Sequence, residues 1–114
     1  MPTVDELYSA AEKLKDAGQF PEAIEQLQAG LAIDGMHVLS HLALAVLYGK
    51  VGKPLEAVQH AERAIQLEPN DPFNFTAASV VYQRAYAATN QQKYIQLAED
   101  AKARAAMMAG GHRH

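Results

Sequence analysis

The sequence repeats itself at an interval of 34 residues, and this repeat constrains the fold more than any other feature. The segment GQFPEAIEQLQAGLAIDG begins at Gly18, and the similar segment GKPLEAVQHAERAIQLEP begins at Gly52. Both segments have apolar residues at helical spacing, and each follows another stretch with the same spacing. A unit of this length cannot bury its own apolar face, so neighbouring units must cover it. We therefore predict a stack of helix pairs.

Paired positions in the two segments agree in size and polarity. The agreement covers Gly18 with Gly52, Glu22 with Glu56, Ala23 with Ala57, Ile24 with Val58, Leu31 with Ile65, and Asp34 with Glu68. A third unit starts near residue 72 and supplies Phe75 and Tyr82 at matching places. Its second helix, KYIQLAEDAKARAAMMA, aligns when about three residues are inserted between Ala88 and Gln92.

These boundaries predict one all-α domain, residues 1–109, made of three antiparallel helix pairs. The repeats cover about residues 4–37, 38–71 and 72–108. The Gly-Gly pair that precedes His112 predicts that residues 110–114 form a disordered tail.

Composition excludes several classes of protein. The chain has 114 residues, is 49% hydrophobic and 20% charged, and contains no cysteine, which excludes disulfides and thiolate metal sites. A net charge of -3 gives no reason to expect nucleic acid as a partner. The apolar run LALAVLY (42–48) is too short to span a bilayer, and the N-terminus has no signal-peptide pattern. We therefore expect a cytoplasmic protein without membrane insertion.

The repeat resembles the tetratricopeptide repeat family, which has a helix–turn–helix unit of the same length. Repeat two carries the family's size-selected residues at Leu44, Ala45, Tyr48, Gly52, Ala57, Ala61, Ala64 and Pro69. Repeat one carries them at Leu7, Ala11, Leu14, Gly18, Ala23, Leu27 and Gly30, and departs from the pattern at Gly35, where the family prefers proline. Repeat three is degenerate in its second half.

The resemblance implies a right-handed superhelix, an αα-solenoid, with a concave groove lined mainly by the first helix of each pair. It also implies that Ala45 meets Ala57 inside one pair, and that Ala61 and Ala64 lie where the next pair docks. On this basis Ala57→Leu is expected to unfold the protein.

Relatives of this kind bind a peptide or helix in the groove, which predicts a non-enzymatic interaction module or adaptor for a partner protein. The predicted groove residues are Tyr8, Glu12, Leu39, Leu42, Ala43, Val46, Phe73, Thr76 and Val80, with Asp5, Ser9 and Ala77 on the same face. Their apolar centre is unusual for a face exposed to water, and Leu42→Glu is expected to abolish binding in a folded protein.

Two alternatives to this groove stay open. The apolar residues could be covered by the last helix as part of the core. The chain could also self-associate as a scaffold, through its grooves or through its charged ends, because residues 1–36 carry a net charge of -5 and residues 72–114 carry +3.

The resemblance also argues against one partner. Co-chaperones of the family hold the C-terminal carboxylate of heat-shock chaperones with basic and amide side chains. Here those places hold Tyr8, Glu12, Ala43, Phe73 and Ala77, which do not clamp a carboxylate.

Histidines supply the one candidate metal site. His37 and His41 are four residues apart at a helix start, so both could reach one ion, but His60 lies on another helix and no third ligand is placed. His112 and His114 in the tail are weaker candidates. No nucleophile–base pair or phosphate loop occurs, so we expect no enzyme, no cofactor and no metal.

Overall fold

A computed structural model describes residues 1–110 of the protein. These residues form six helices and no strand, with bounds α1 Val4–Asp16, α2 Phe20–Ile33, α3 Val38–Lys50, α4 Pro54–Leu67, α5 Pro72–Thr89 and α6 Lys93–Gly110. The helices pack as three consecutive pairs, and α2 joins α3 as α4 joins α5. The predicted all-α solenoid is confirmed. None of the helices within residues 1–110 combines the length and apolarity that a membrane crossing requires.

The chain reverses between the helices of a pair through a residue in the left-handed region. Gly18 has φ 78° and Gly52 has φ 79°, a conformation that glycine adopts without strain. In the first turn the Gln19 N–H donates to the Leu14 carbonyl at 2.8 Å, which satisfies the end of α1. Asn90, with φ 59°, ends α5 in the same way, so the repeated turn needs this geometry rather than glycine itself.

The third pair is longer than the second. Helices α5 and α6 have 18 residues each, whereas α3 has 13 and α4 has 14. The buried residues Tyr94, Ala98 and Ala101 of α6 follow Ala57, Ala61 and Ala64 of α4 by 37 positions, three more than the repeat interval. The predicted insertion is therefore present, and it lengthens α5. Gly110, which the sequence analysis assigned to the tail, is the last residue of α6. The remainder of that tail lies outside the described residues.

Small side chains allow the paired helices to approach closely. Ala45 and Ala57 are each 2% exposed and line one small cavity of about 40 Å³, which Val81 and Ala85 of α5 close. The two alanines thus lie on the same contact, as the sequence analysis predicted. Because some free volume remains there, the expectation that Ala57→Leu unfolds the protein is too strong.

Ala64 is fully buried where the third pair meets the second, as the sequence analysis predicted. Its counterpart in α2 is Gly30, where an added Cβ would lie 3.3 Å from Val4 Cγ2 and 3.6 Å from Leu7 Cβ. In the first pair this position therefore also packs against the first helix of its own pair. The next pair contacts Ala64 through its backbone, because Asn74 Nδ2 donates to the Ala64 carbonyl at 3.3 Å.

Candidate functional site

The first helices of the three pairs share one concave face, and a groove of about 250 Å³ lies on it. The residues that line it are Tyr8, Glu12, Lys15, Leu39, Leu42, Ala43, Val46 and Phe73. Seven of these eight were predicted from the sequence. Thr76 and Val80 are exposed on α5 but lie outside this lining.

Large apolar side chains on this face are open to water. Leu39 is 50% exposed, Val46 37% and Phe73 60%, and Val80 on α5 is 42% exposed. An exposed apolar cluster of this kind is uncommon on a monomeric protein unless a partner covers it. The last helix does not line this groove, so it does not cover these residues as one alternative required.

The concave face changes in character from the first pair to the third. Leu39 and Phe73 occupy the place of Asp5, and Val46 and Val80 the place of Glu12, at the 34-residue interval. The face is therefore acidic on α1 and apolar on α3 and α5.

Leu42 lies at the floor of the groove and is buried. It is 9% exposed, whereas its neighbours Leu39 and Val46 on α3 are well exposed. A carboxylate at Leu42 would lose most of its hydration, so the expectation that Leu42→Glu leaves the fold intact is corrected. The open positions Leu39, Val46 and Phe73 are better probes of the groove.

The α1 edge of the groove carries charge. Lys15 Nζ lies 3.3 Å from Glu12 Oε2, and both groups lie on the groove. Partial burial, followed by the Glu12 charge, raises the pKa of the Tyr8 phenol, which Lys15 opposes. Sequence reasoning missed Lys15. Its position one turn after Glu12 was the available signal, because residues three apart share a helix face.

His37 and His41 turn to different partners and do not form a metal site together. His37 Nε2 lies 3.1 Å from Asp5 Oδ1, whereas His41 Nε2 lies 2.9 Å from the Gly35 carbonyl. Within residues 1–110 no group of three or more histidine, aspartate or glutamate side chains is placed to hold a metal ion. His112 and His114 lie outside the described residues.

A tyrosine links each pair to the one before it. The Tyr82 hydroxyl donates to Glu62 Oε2 at 2.7 Å, and Gln28 Nε2–H donates to the Tyr48 oxygen. Both tyrosines start from α3 or α5 and reach the second helix of the preceding pair. The pairing was visible in the sequence, since Gln28 and Glu62 stand at the same interval as the tyrosines.

A second concavity lies where α6 passes α4 and α5. It has a volume of about 390 Å³, and its apolar lining includes Ile65, Phe75, Tyr82, Leu97 and Met107. Arg104 lies over the Phe75 ring, 5.6 Å from its centroid, and lines the same space with Asp100. Met107 belongs to the part of α6 that extends beyond the length of α4, so the sequence repeat did not predict this concavity.

Comparison with known proteins identifies the fold through structure rather than sequence. No protein-family model matches the chain, and no curated protein matches it. Among solved structures, the second TPR of Spaghetti (RPAP3) bound to the HSP90 peptide SRMEEVD matches with a TM-score of 0.68 at 20% identity, over 85% of this chain and 90% of that one. MamA matches with a TM-score of 0.71 at 17% identity, over 91% of this chain and 61% of MamA.

A third structure, PcrH in complex with the chaperone binding region of PopD, matches with a TM-score of 0.60 at 19% identity, over 95% of this chain and 92% of that one. This chain has the tetratricopeptide-repeat fold. The fold accounts for the 34-residue interval and for the concave face on the first helices of the pairs. Two of these three tetratricopeptide structures contain a bound polypeptide, the HSP90 peptide on RPAP3 and the PopD region on PcrH.

Proposed function

We propose that this protein is a non-enzymatic interaction module that binds a peptide or helix of a partner protein in its concave groove. The observation that carries the proposal is the exposed apolar cluster of Leu39, Val46 and Phe73 on one face. Transfer of such side chains from water to a partner is favourable, at about 25 cal/mol for each Å² that is buried. An adaptor role and a cytoplasmic location belong to the same proposal.

The lining residues favour a partner segment with two or more bulky apolar side chains. Leu39 and Val46 lie about two helical turns apart on α3, and Phe73 extends the apolar surface onto α5. Leu42 and Ala43 form the floor between them, and both are largely withdrawn from water. A side chain that enters the groove therefore contacts aliphatic carbon on several sides.

The α1 edge favours a basic or neutral group at one end of the partner. Asp5 and Glu12 stand there, and Lys15 is already paired with Glu12. A partner carboxylate would compete with Glu12 for Lys15, so a chaperone C-terminal tail stays an unfavoured ligand.

The proposal is tested with peptides selected from a random phage-displayed library against the wild-type protein. Affinities are then measured by fluorescence anisotropy for the wild type, Val46→Lys and Phe73→Glu. Both substitutions place a charge at an exposed position, so the helices are expected to persist, and circular dichroism checks this. We expect each substitution to weaken the selected peptides by about tenfold or more.

Leu55→Lys is the matched control. Leu55 is 54% exposed on α4 and does not line the groove, so its exposure is within the range of the groove residues while its location differs. Peptides that bind all four proteins equally, or that lose affinity for Leu55→Lys as well, would contradict the groove proposal.

Self-association remains the alternative proposal, and the two ends of the stack disfavour its head-to-tail form. At the inserted offset Lys102 of α6 occupies the place of Ile65, and Glu99 the place of Glu62. Helix α1 has Leu14 where α3 and α5 have the linking tyrosine. A second copy stacked on α6 would therefore lack the tyrosine link. Sedimentation velocity over a range of protein concentrations would detect a face-to-face dimer through the grooves. Val46→Lys would dissociate such a dimer.

A further inference from the structure

Two histidines form a hydrogen-bonded pair beneath the start of α3. His41 is 7% exposed, and its Nδ1 lies 2.9 Å from Nδ1 of His60 on α4. His41 Nε2 lies 2.9 Å from the Gly35 carbonyl in the turn before α3. The pair thus connects three pieces of backbone, namely α4, α3 and the turn that leads into α3.

The hydrogen bonds assign the proton of each ring. A carbonyl oxygen only accepts, so His41 Nε2 must carry the hydrogen that faces Gly35. A neutral His41 then has an unprotonated Nδ1, and the hydrogen between the rings belongs to Nδ1 of His60. The pair can take up one proton, for example at His60 Nε2, and keep this bond, whereas the bond is lost when both Nδ1 atoms carry a hydrogen.

We infer that the His41–His60 pair is an acid-sensitive latch that holds the start of α3 and the Gly35 turn in place. At neutral pH the latch is closed with both rings uncharged. Once one ring is charged, a second proton must break the ring–ring bond and place two positive charges about 3 Å apart, which favours separation of the helices.

The side chains around His41 and His60 do not offset the charge of a protonated imidazole. Tyr48 of α3 stacks on His60, with ring centroids 5.6 Å apart and planes 14° apart. On α4, Glu56 and Arg63 stand one turn before and after His60, with opposite charges. Neither His41 nor His60 is within ion-pair distance of a carboxylate in the part of the chain that the structure describes.

The turn and the neighbouring second helix add little charge. Asp34 binds the Met36 N–H through its side chain, and α2 presents Gln28, whose amide goes to Tyr48. Burial, and then the neighbouring His41, lowers the pKa of the His60 imidazole. A histidine with a lowered pKa in the folded state binds fewer protons than in the unfolded chain, so stability falls as pH drops below about 6.5.

His37 lies nearby but has a different set of partners. Its Nε2 faces Asp5 Oδ1 at 3.1 Å. Its Nδ1 accepts from the Ser40 N–H and caps α3. His37 is therefore a natural control within the same turn, and it does not belong to the latch.

The latch is tested on the wild-type chain by long-range ¹⁵N–¹H NMR of the imidazole rings. At about pH 7.5 we expect His41 as the Nε2–H form and His60 as the Nδ1–H form, with loss of both patterns on acidification. Two rings that each show the ordinary tautomer mixture, and that titrate independently of each other, would overturn the inference.

Urea denaturation then measures the consequence between about pH 7.5 and about pH 5. We expect the unfolding constant of the wild type to rise by up to about tenfold per pH unit through the titration of the pair. The double variant His41→Phe/His60→Gln uses the residues of the equivalent positions, Phe75 and Gln26, and should lose this rise. His37→Asn keeps an N-cap acceptor and should retain it.

The single variant His60→Gln tests the latch if the double variant is unstable. Its side-chain amide can still donate to His41 Nδ1, so we expect wild-type stability at about pH 7.5 and a smaller acid response. An equal acid response in the wild type and in both latch variants would overturn the inference. His112 and His114 are present in every variant, so their titration is common to all. The latch is independent of the groove, although Leu39 lies in the first turn of α3, which the latch holds.

Discussion

The two junctions between helix pairs, α2–α3 and α4–α5, share one architecture but are filled differently. Each has a tyrosine bond to the preceding pair, from Tyr48 in the first and Tyr82 in the second. The aliphatic residues differ at the 34-residue interval, with Leu27 against Ala61, Leu47 against Val81, and Val51 against Ala85. The first junction is bulkier and polar at His41, whereas the second has small aliphatics and Phe75. The repeat thus specifies where helices meet, while the volume at each meeting is adjusted locally.

The largest expected difference in unfolding free energy comes from changing the size of the side chain at Leu27 and at its equivalent, Ala61. Leu27 is 1% exposed and Ala61 is fully buried. Leu27→Ala should cost about 2–5 kcal/mol of unfolding free energy because it leaves a cavity. The reverse change, Ala61→Leu, should cost about 1–3 kcal/mol through overpacking. Urea denaturation measures both, and a cost below about 1 kcal/mol for Leu27→Ala would show that the first junction collapses around the gap.

The second junction depends on a buried amide that the first lacks. Asn74 is 1% exposed, and its Nδ2 donates to the Ala64 and Glu68 carbonyls at 3.3 and 3.0 Å. Asn74→Ala should cost about 1–3 kcal/mol because it removes two buried hydrogen bonds at the end of α4. Ser40→Ala, at the equivalent place, removes one bond to His37 and should cost about 1 kcal/mol. Hydrogen exchange at the end of α4 should rise for the first variant and not for the second.

Leucine substitutions at Ala57 and at its repeat equivalent, Ala23, test how much free volume each junction has. Ala57 borders a cavity of about 40 Å³, and the residues that close it, Val81 and Ala85, are smaller than Leu47 and Val51 in the first junction. Ala57→Leu should therefore cost about 1–2 kcal/mol and Ala23→Leu up to about 3 kcal/mol. Thermal denaturation of the two variants decides the order, and a larger loss for Ala57→Leu would contradict it.

The hydrogen bonds of Tyr48 and Tyr82 should give the smallest difference in unfolding free energy between the two junctions. This difference should also depend most strongly on pH. Tyr82→Phe and Tyr48→Phe should each cost about 1 kcal/mol near neutral pH. Burial, with the Glu62 hydrogen bond and charge next, raises the pKa of the Tyr82 phenol well above its ordinary value. The folded state then holds the phenol proton longer than the unfolded chain, so stability falls as pH rises above about 10.

Tyr82→Phe should remove this alkaline loss, and Glu62→Gln, which copies the neutral Gln28 of the first junction, should reduce it. Ultraviolet titration of tyrosine ionisation and denaturation above about pH 10 measure the effect. Equal alkaline sensitivity of Tyr82→Phe and the wild type would assign the loss to another tyrosine.

Most of the fold was predictable because it rests on local patterns. The alanines and the positive-φ glycines recur at a fixed interval, and each has a physical requirement that sequence alone exposes. The lining of the groove was predictable in outline once the resemblance named the concave face, since helix-face geometry then gives seven of its eight residues. Leu42 was misjudged because its burial depends on how closely α3 packs between its neighbours.

The sequence by itself determined the number of helices, their pairing and the change from an acidic to an apolar concave face, because these follow from periodicity within short segments. Tertiary structure decided the histidine pair and the concavity beside α6. His41 and His60 are 19 positions apart on different helices, and their hydrogen bond depends on the angle between α3 and α4. The α6 concavity depends on three inserted residues that lengthen a helix pair, whose effect on distant side chains no local pattern records.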